Sequence, residues 1–187
     1  MGEDKEAYWY ALKVFYNKVG PLKEAFDELH IETYLPTTVE EQFDQGALRY
    51  KEKPLIASLL FVKCPEKELL QFKKDHDGQF MFYRDLASGE YKPGRIDERE
   101  MESFRLATTI GGPDMTYLGR DGEVLCTGDK VRVTGGIYAG TEGYIKRIKH
   151  DRKVLVRIQG VAVVMLSNIH PKYLVKIEEE GGTNTEE

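Results

Sequence analysis

A cluster of chain breakers, Gly111, Gly112, Pro113, Asp114, Gly119, Asp121 and Gly122, separates two stretches whose hydrophobic patterns cannot serve one architecture. Before it, runs that alternate as strands do are interleaved with runs at helical spacing; after it, only short β runs occur. Residues 111–126 therefore read as a linker between two domains.

Residues 7–14 carry Trp9, Tyr10, Leu12 and Val14 and predict a strand. Gly20 and Pro21 suit the cap and first turn of a helix whose apolar face is Val19, Leu22, Phe26 and Leu29. A short strand over 31–35 closes at Pro36. Residues 37–54 are polar and predict a loop or ragged hairpin, with 47–53 as an edge strand, and the apolar run 55–62 predicts a central strand. Pro65 opens a second helix, with Glu66 and Glu68 in its first turn and Lys73 and Lys74 in its last, as the helix dipole favours. Gly78 stops it. A brief strand at 80–83 and a loop over 84–94 lead to Asp97 and Glu100, a capping-box signature ahead of Met101, Phe104 and Thr108. Residues 1–110 thus predict an α+β domain. Beyond the linker, 130–133, 143–148, 154–158, 161–166 and 173–177 are five short β runs, and a five-stranded SH3-like barrel over 127–177 is the economical closure, because it removes exposed edges. Residues 178–187 have no apolar side chain and predict a disordered acidic tail.

Charge follows the same division. The whole chain of 187 residues carries a net -5, yet residues 127–177 hold ten basic side chains against three acidic ones. Lys146, Arg147, Lys149, Arg152 and Lys153 cluster about one β turn, as a contact for nucleic acid or an acidic protein face would, or as a solvated hairpin tip. Cys64 and Cys126, 62 residues apart, provide neither a disulfide scaffold nor the paired spacing of a zinc site, and a reducing cytoplasm is the expected location. No apolar run approaches the roughly 20 residues that span a bilayer, and no signal peptide opens the chain. His30, His76, His150 and His170 are scattered, and no nucleophile elbow or His-Glu-x-x-His occurs. Neither a catalytic centre, a metal nor a cofactor is expected.

The most specific stretch runs from Gly128 to Gly143, GDKVRVTGGIYAGTEG. Val131 and Val133 point inward from a strand, Gly135, Gly136 and Gly140 permit the positive φ of tight turns, and Gly143 lets the next strand approach closely. A Walker-type phosphate loop is excluded, since Ala139, Gly140 and Thr141 stand where Gly-Lys-Thr is required and no helix follows. The stretch resembles the KOW motif. Upstream, Trp9-Tyr10-Ala11-Leu12, Tyr34-Leu35-Pro36 and the run 53–62 fall in the order typical of a NusG N-terminal (NGN) domain. The chain from 7 to 177 thus resembles the NusG family of transcription elongation factors.

That resemblance implies a non-enzymatic factor that binds the clamp helices of the largest RNA polymerase subunit through an apolar patch and suppresses pausing or termination. Period-2 alternation puts Leu59 and Phe61 on one sheet face, opposite to Leu60 and Val62. The implied polymerase contact is Leu59, Phe61 and Ile56 with Ala11 and Lys13 beside them; without the resemblance, Leu59 and Phe61 read as core. Two departures matter. Ile56-Ala57-Ser58-Leu59 stands where the family usually has Phe-Pro-Gly-Tyr, closer to the UpxY-type paralogues that act as operon-specific antiterminators. Gln159 stands where housekeeping members carry an aromatic anchor for a small-subunit ribosomal protein. The expected function is operon-specific antitermination, with non-template DNA or nascent RNA as a further partner. The alternatives are a general NusG-type factor and a KOW-bearing RNA-binding or ribosome-associated module.

Overall fold

Strand β1 (Tyr8–Val14) has apolar residues at consecutive as well as alternate positions, the mark of a strand covered on both faces. In a computed structural model describing residues 6–44, 46–84, 92–121, 128–148 and 151–178, it is the centre of a five-stranded antiparallel sheet. One edge of β1 pairs with β5 (Leu59–Cys64), itself paired with β2 (Glu32–Tyr34). The other edge takes β6 (Phe80–Phe82) along one half and the two-residue β7 (Arg95–Ile96) along the other.

Helices α1 (Val19–Glu28) and α2 (Glu66–Asp75) cover one face of this sheet. They bring Val19, Leu22, Phe26, Leu69 and Phe72 against Tyr10, Leu12, Val14, Leu60 and Val62, with Phe26 stacked on Phe72 at 3.9 Å between centroids. Helix α3 (Glu98–Ile110) starts where expected: the Asp97 carboxylate accepts the amides of Arg99 at 2.9 Å and Glu100 at 3.2 Å, satisfying donors that the first turn cannot.

Two elements differ from the sequence reading. Residues 37–54 are the hairpin alternative rather than a loop, and a regular one: β4 (Ala47–Pro54) covers the strand expected at 47–53 and pairs in register with β3 (Thr37–Asp44), from Thr37 opposite Pro54 to Asp44 opposite Ala47. This ribbon forms a sheet of its own. The apolar run 55–62 is a strand only from Leu59; the Leu59 amide donates to the Ile56 carbonyl at 3.2 Å, so residues 55–58 turn the chain into β5.

Beyond α3 the described residues are all β apart from one 3-10 turn (Pro171–Tyr173). The strands are β8 (Met115–Gly119), β9 (Lys130–Val133), β10 (Glu142–Ile148), β11 (Asp151–Ile158), β12 (Ala162–Leu166) and β13 (Leu174–Lys176), in the order β13-β9-β10-β11-β12-β8. Five of these were expected. The sixth, β8, comes from the stretch read as a linker: Met115 to Gly119 pair with β12 and so cover an edge whose Ala162, Val163, Val164 and Leu166 are all buried. The described residues divide into two compact units, 1–101 with 158–161 and 102–157 with 162–187, so the division falls inside α3 rather than in the glycine-rich segment. Residues 122–126 of the expected linker, most of the loop at 84–94, Lys149 and residues 179–187 of the tail lie outside the described residues.

The glycines of the C-terminal sheet act in two ways. Gly136 (φ 82°) and Gly140 (φ 96°) hold the left-handed conformation that the β9–β10 turn needs. At Gly143 a Cβ would lie 2.5 Å from the Leu155 carbonyl oxygen and 2.7 Å from Val154 Cγ1. Gly135, expected to share the positive φ, does not; it leaves room for the Tyr173 ring, which a Cβ would meet at 2.5 Å. Gly143→Ala is expected to destabilise the chain by about 1–3 kcal/mol through overpacking, whereas Gly20→Ala, with nothing within 4 Å of the new methyl, is neutral or slightly stabilising. Urea unfolding of both variants checks the contrast.

Candidate functional site

Along β1 and β5 the side chains that do not face α1 and α2 are Trp9, Ala11 and Lys13 on one strand and Leu59, Phe61 and Lys63 on the other. The register places Ala11 directly opposite Phe61, Lys13 opposite Leu59 and Trp9 opposite Lys63. Four of the five residues expected to form an apolar contact are therefore brought together as cross-strand neighbours. Ile56 is not among them; it sits half-buried in the turn that precedes β5.

The patch is assembled, but it is not open. Leu59 is 1% exposed and Phe61 0%, and Trp9 and Ala11 are as deeply buried. The expectation of an exposed apolar patch is corrected: this sheet buries both faces, and the continuous run Leu59-Leu60-Phe61-Val62 is the sequence trace of that double burial. The first turn of α3 lies over the face, where one carboxylate oxygen of Glu98 accepts from Lys63 Nζ at 3.0 Å and from the Trp9 indole nitrogen at 3.3 Å. Lys63 also stands 5.8 Å from the Trp9 ring centroid. Trp9, Lys63 and Glu98 are thus part of the site. The sequence reading named neither Lys63 nor Glu98 for this site, since a strand lysine and a helix glutamate 35 positions apart leave no joint signal in the sequence.

On the α1/α2 side, burial pushes the Tyr10 phenol up to about 12, and burial also pushes the Cys64 thiol up to about 12. Both groups stay protonated at neutral pH, so neither is poised as a nucleophile. Among the described residues no cluster of three or more His, Cys, Asp or Glu is placed to hold a metal ion. An open cleft of about 480 Å³ at the foot of the β3–β4 ribbon is lined in part by Lys23, Thr37 and Lys53. Those groups are engaged locally, with Asp27 at 2.7 Å, Glu52 at 2.6 Å and Glu40 at 2.8 Å respectively.

The basic residues of the C-terminal unit occupy the β10–β11 hairpin. Lys146 lies opposite Lys153 and Arg147 opposite Arg152, so the cluster is split into one like-charged pair on each face of the ribbon. Asp151, 3.6 Å from Lys153, offsets part of one pair. Like charges directly opposite each other oppose strand pairing. Gln159 is exposed in the β11–β12 turn. No helix among the described residues is long and apolar enough to cross a membrane.

The fold is thus an α+β sheet unit with three helices followed by an all-β sheet. Residues 7–105 match the family model described as transcription termination factor nusG, and the chain belongs to the NusG family. Factors of this family are non-enzymatic; they act in transcription elongation and termination and bind RNA polymerase. Among solved structures, one titled "Domain interaction in Thermotoga maritima NusG" is similar at 19% identity over 92% of this chain and 98% of the other, with a TM-score of 0.43. No curated protein sequence matches.

The burial of Phe61 carries a direct consequence for stability. Phe61→Ala removes a fully enclosed ring and is expected to cost about 3–5 kcal/mol, while Lys13→Ala, at a half-buried position beside it, changes stability little. A melting temperature unchanged in Phe61→Ala would show that the face is open in solution.

Proposed function

We propose that this NusG-family factor is an operon-specific antiterminator, which engages the clamp helices of the largest polymerase subunit through the sheet face of Ala11, Lys13, Leu59 and Phe61, with Ile56 at its margin. The observation that carries the polymerase contact is the register of β1 and β5, which gathers three apolar side chains and a lysine into one patch. Because Leu59 and Phe61 are enclosed, engagement includes a step that uncovers them. Specialisation rests on the exposed Gln159, which cannot supply a buried aromatic anchor to a ribosomal protein, and on Ile56-Ala57-Ser58-Leu59 in place of the usual family motif.

A second reading, in which residues 127–177 form a KOW module that binds RNA, is favoured by the stacked like charges of the β10–β11 hairpin. Non-template DNA or nascent RNA would relieve that repulsion and release counterions. The KOW assignment itself is supported by the turn geometry of Gly136 and Gly140 and by the close strand approach at Gly143.

Single-round transcription by purified polymerase tests the proposal. On a template carrying the leader of the operon that this factor serves, added protein is expected to raise terminator read-through several-fold; on the same template without the leader it is expected to do little. Equal read-through on both templates would instead establish a general NusG-type role, and failure to bind polymerase alongside salt-sensitive RNA binding would establish the RNA-binding module.

A further inference from the structure

The β10–β11 hairpin carries positive charge that its own sheet does not neutralise. Residues 127–177 hold three acidic side chains, and each already has a basic partner: Asp129 with Lys176 at 2.9 Å, Glu142 with Arg132, and Asp151 with Lys153 at 3.6 Å. Arg147 and Arg152 stand directly opposite each other, both exposed, and among the described residues neither has an acidic partner. Lys146 and Lys153 repeat the arrangement on the other face. Like charges so placed oppose the pairing that forms the hairpin, and a counter-charge settling over its tip relieves them.

Such a counter-charge follows β13 in the same chain. Glu178, Glu179, Glu180, Glu186 and Glu187 give residues 178–187 five acidic side chains and no basic one. Strand order aims them. Both β13 and β10 pair antiparallel with β9, from its two sides, and so run in the same direction. The Ile177 amide donates to the Lys130 carbonyl at 3.0 Å, and Lys130 lies opposite Tyr144. The chain therefore leaves β13 level with Tyr144 and heads the way β10 runs, toward Ile148 and the hairpin tip, with Glu178 exposed. Two inter-strand steps of about 4.8 Å separate β13 from β10, and a segment of ten residues spans up to roughly 33 Å when extended. Reach is not limiting.

We propose that the acidic segment 178–187 is the resident occupant of the β10–β11 hairpin, folding over its tip so that glutamate carboxylates meet Arg147 and Arg152. Tethering selects this occupant over a free polyanion or an acidic protein face, because a segment joined directly to the sheet on which it docks is present at an effective concentration on the order of millimolar. Gly181 and Gly182 separate Glu178–Glu180 from Glu186 and Glu187 and permit the bend that brings both groups to one tip. Tail docking does not depend on the nucleic-acid reading above. A nucleic acid using this hairpin has to displace the segment first, so the tail sets a threshold on any such contact.

The experiment compares the amide spectra of isotope-labelled full-length chain with those of two variants, one ending at Ile177 and one carrying Glu178→Gln, Glu179→Gln, Glu180→Gln, Glu186→Gln and Glu187→Gln. Both leave every strand intact and are expected to melt within about 2 °C of the wild type. At low salt the amide resonances of residues 146–148 and 151–153 are expected to move in the same direction in both variants, and those of the wild type to follow as salt is raised. A single-stranded oligonucleotide, used as the polyanion probe, is expected to bind both variants at least about fivefold more tightly than the wild type, and adding Arg147→Gln/Arg152→Gln to each form is expected to reduce that ratio below about twofold. Hairpin resonances unmoved by loss of the acidic side chains would overturn the proposal even with tighter probe binding, since the gain would then reflect net charge alone. Resonances that move while no form of the chain binds the probe would uphold the tail contact and overturn the nucleic-acid reading.

Discussion

Six residue pairs between β1 and β5, from Tyr8 opposite Cys64 to Lys13 opposite Leu59, fix which side chains share a face throughout the N-terminal sheet. A slip of one residue would exchange the two faces of β5 relative to β1, sending Leu60 and Val62 away from the helices and Leu59 and Phe61 toward them. The core built on α1 and α2 and the candidate polymerase face are therefore two consequences of one register. Since both faces are buried, the slip is penalised twice, which makes this pairing a strongly specified element of the fold.

How much of this was legible in the sequence varies with the kind of signal. Helices α2 and α3 were legible because local chemistry announces them: Pro65, Glu66 and Glu68 at one start and Asp97 at the other act within a single turn. The β3–β4 ribbon was half legible: β4 was expected over 47–53, but the polar composition of 37–44 outweighed its alternation, although Val39, Phe43, Leu48 and Tyr50 all fall on one face. Strand β8 was hidden for a different reason. Its flanking glycines signal breakage, and only the exposed edge of β12, set by strand order, gives Met115–Gly119 something to pair with. The membership of the candidate patch was readable from period 2 together with the family resemblance. Its enclosure was not, because alternation says which side chains share a face and nothing of what lies over it.

The two apolar surfaces of the N-terminal sheet unit differ in exposure. The β1/β5 face keeps its apolar side chains enclosed and shares Glu98 between Trp9 and Lys63, so presenting it requires a rearrangement. The β3–β4 ribbon leaves Val39, Phe43, Leu48 and Tyr50 open to solvent on one face. In the C-terminal sheet the like-charged pairs of β10 and β11 add a region whose charge is opposite to that of the chain as a whole.

The central claim is that the face organised by β1 and β5 meets the largest subunit of RNA polymerase. Lys13 borders that face and is half-buried, so a photoactivatable side chain placed there reports its neighbours with little disturbance of the core. Irradiation of the complex with core polymerase, followed by mapping of the cross-linked peptide, is predicted to yield an adduct in the clamp helices of the largest subunit. A complex that forms with full affinity, yet cross-links from Arg152 on the β10–β11 hairpin and never from position 13, would contradict the account.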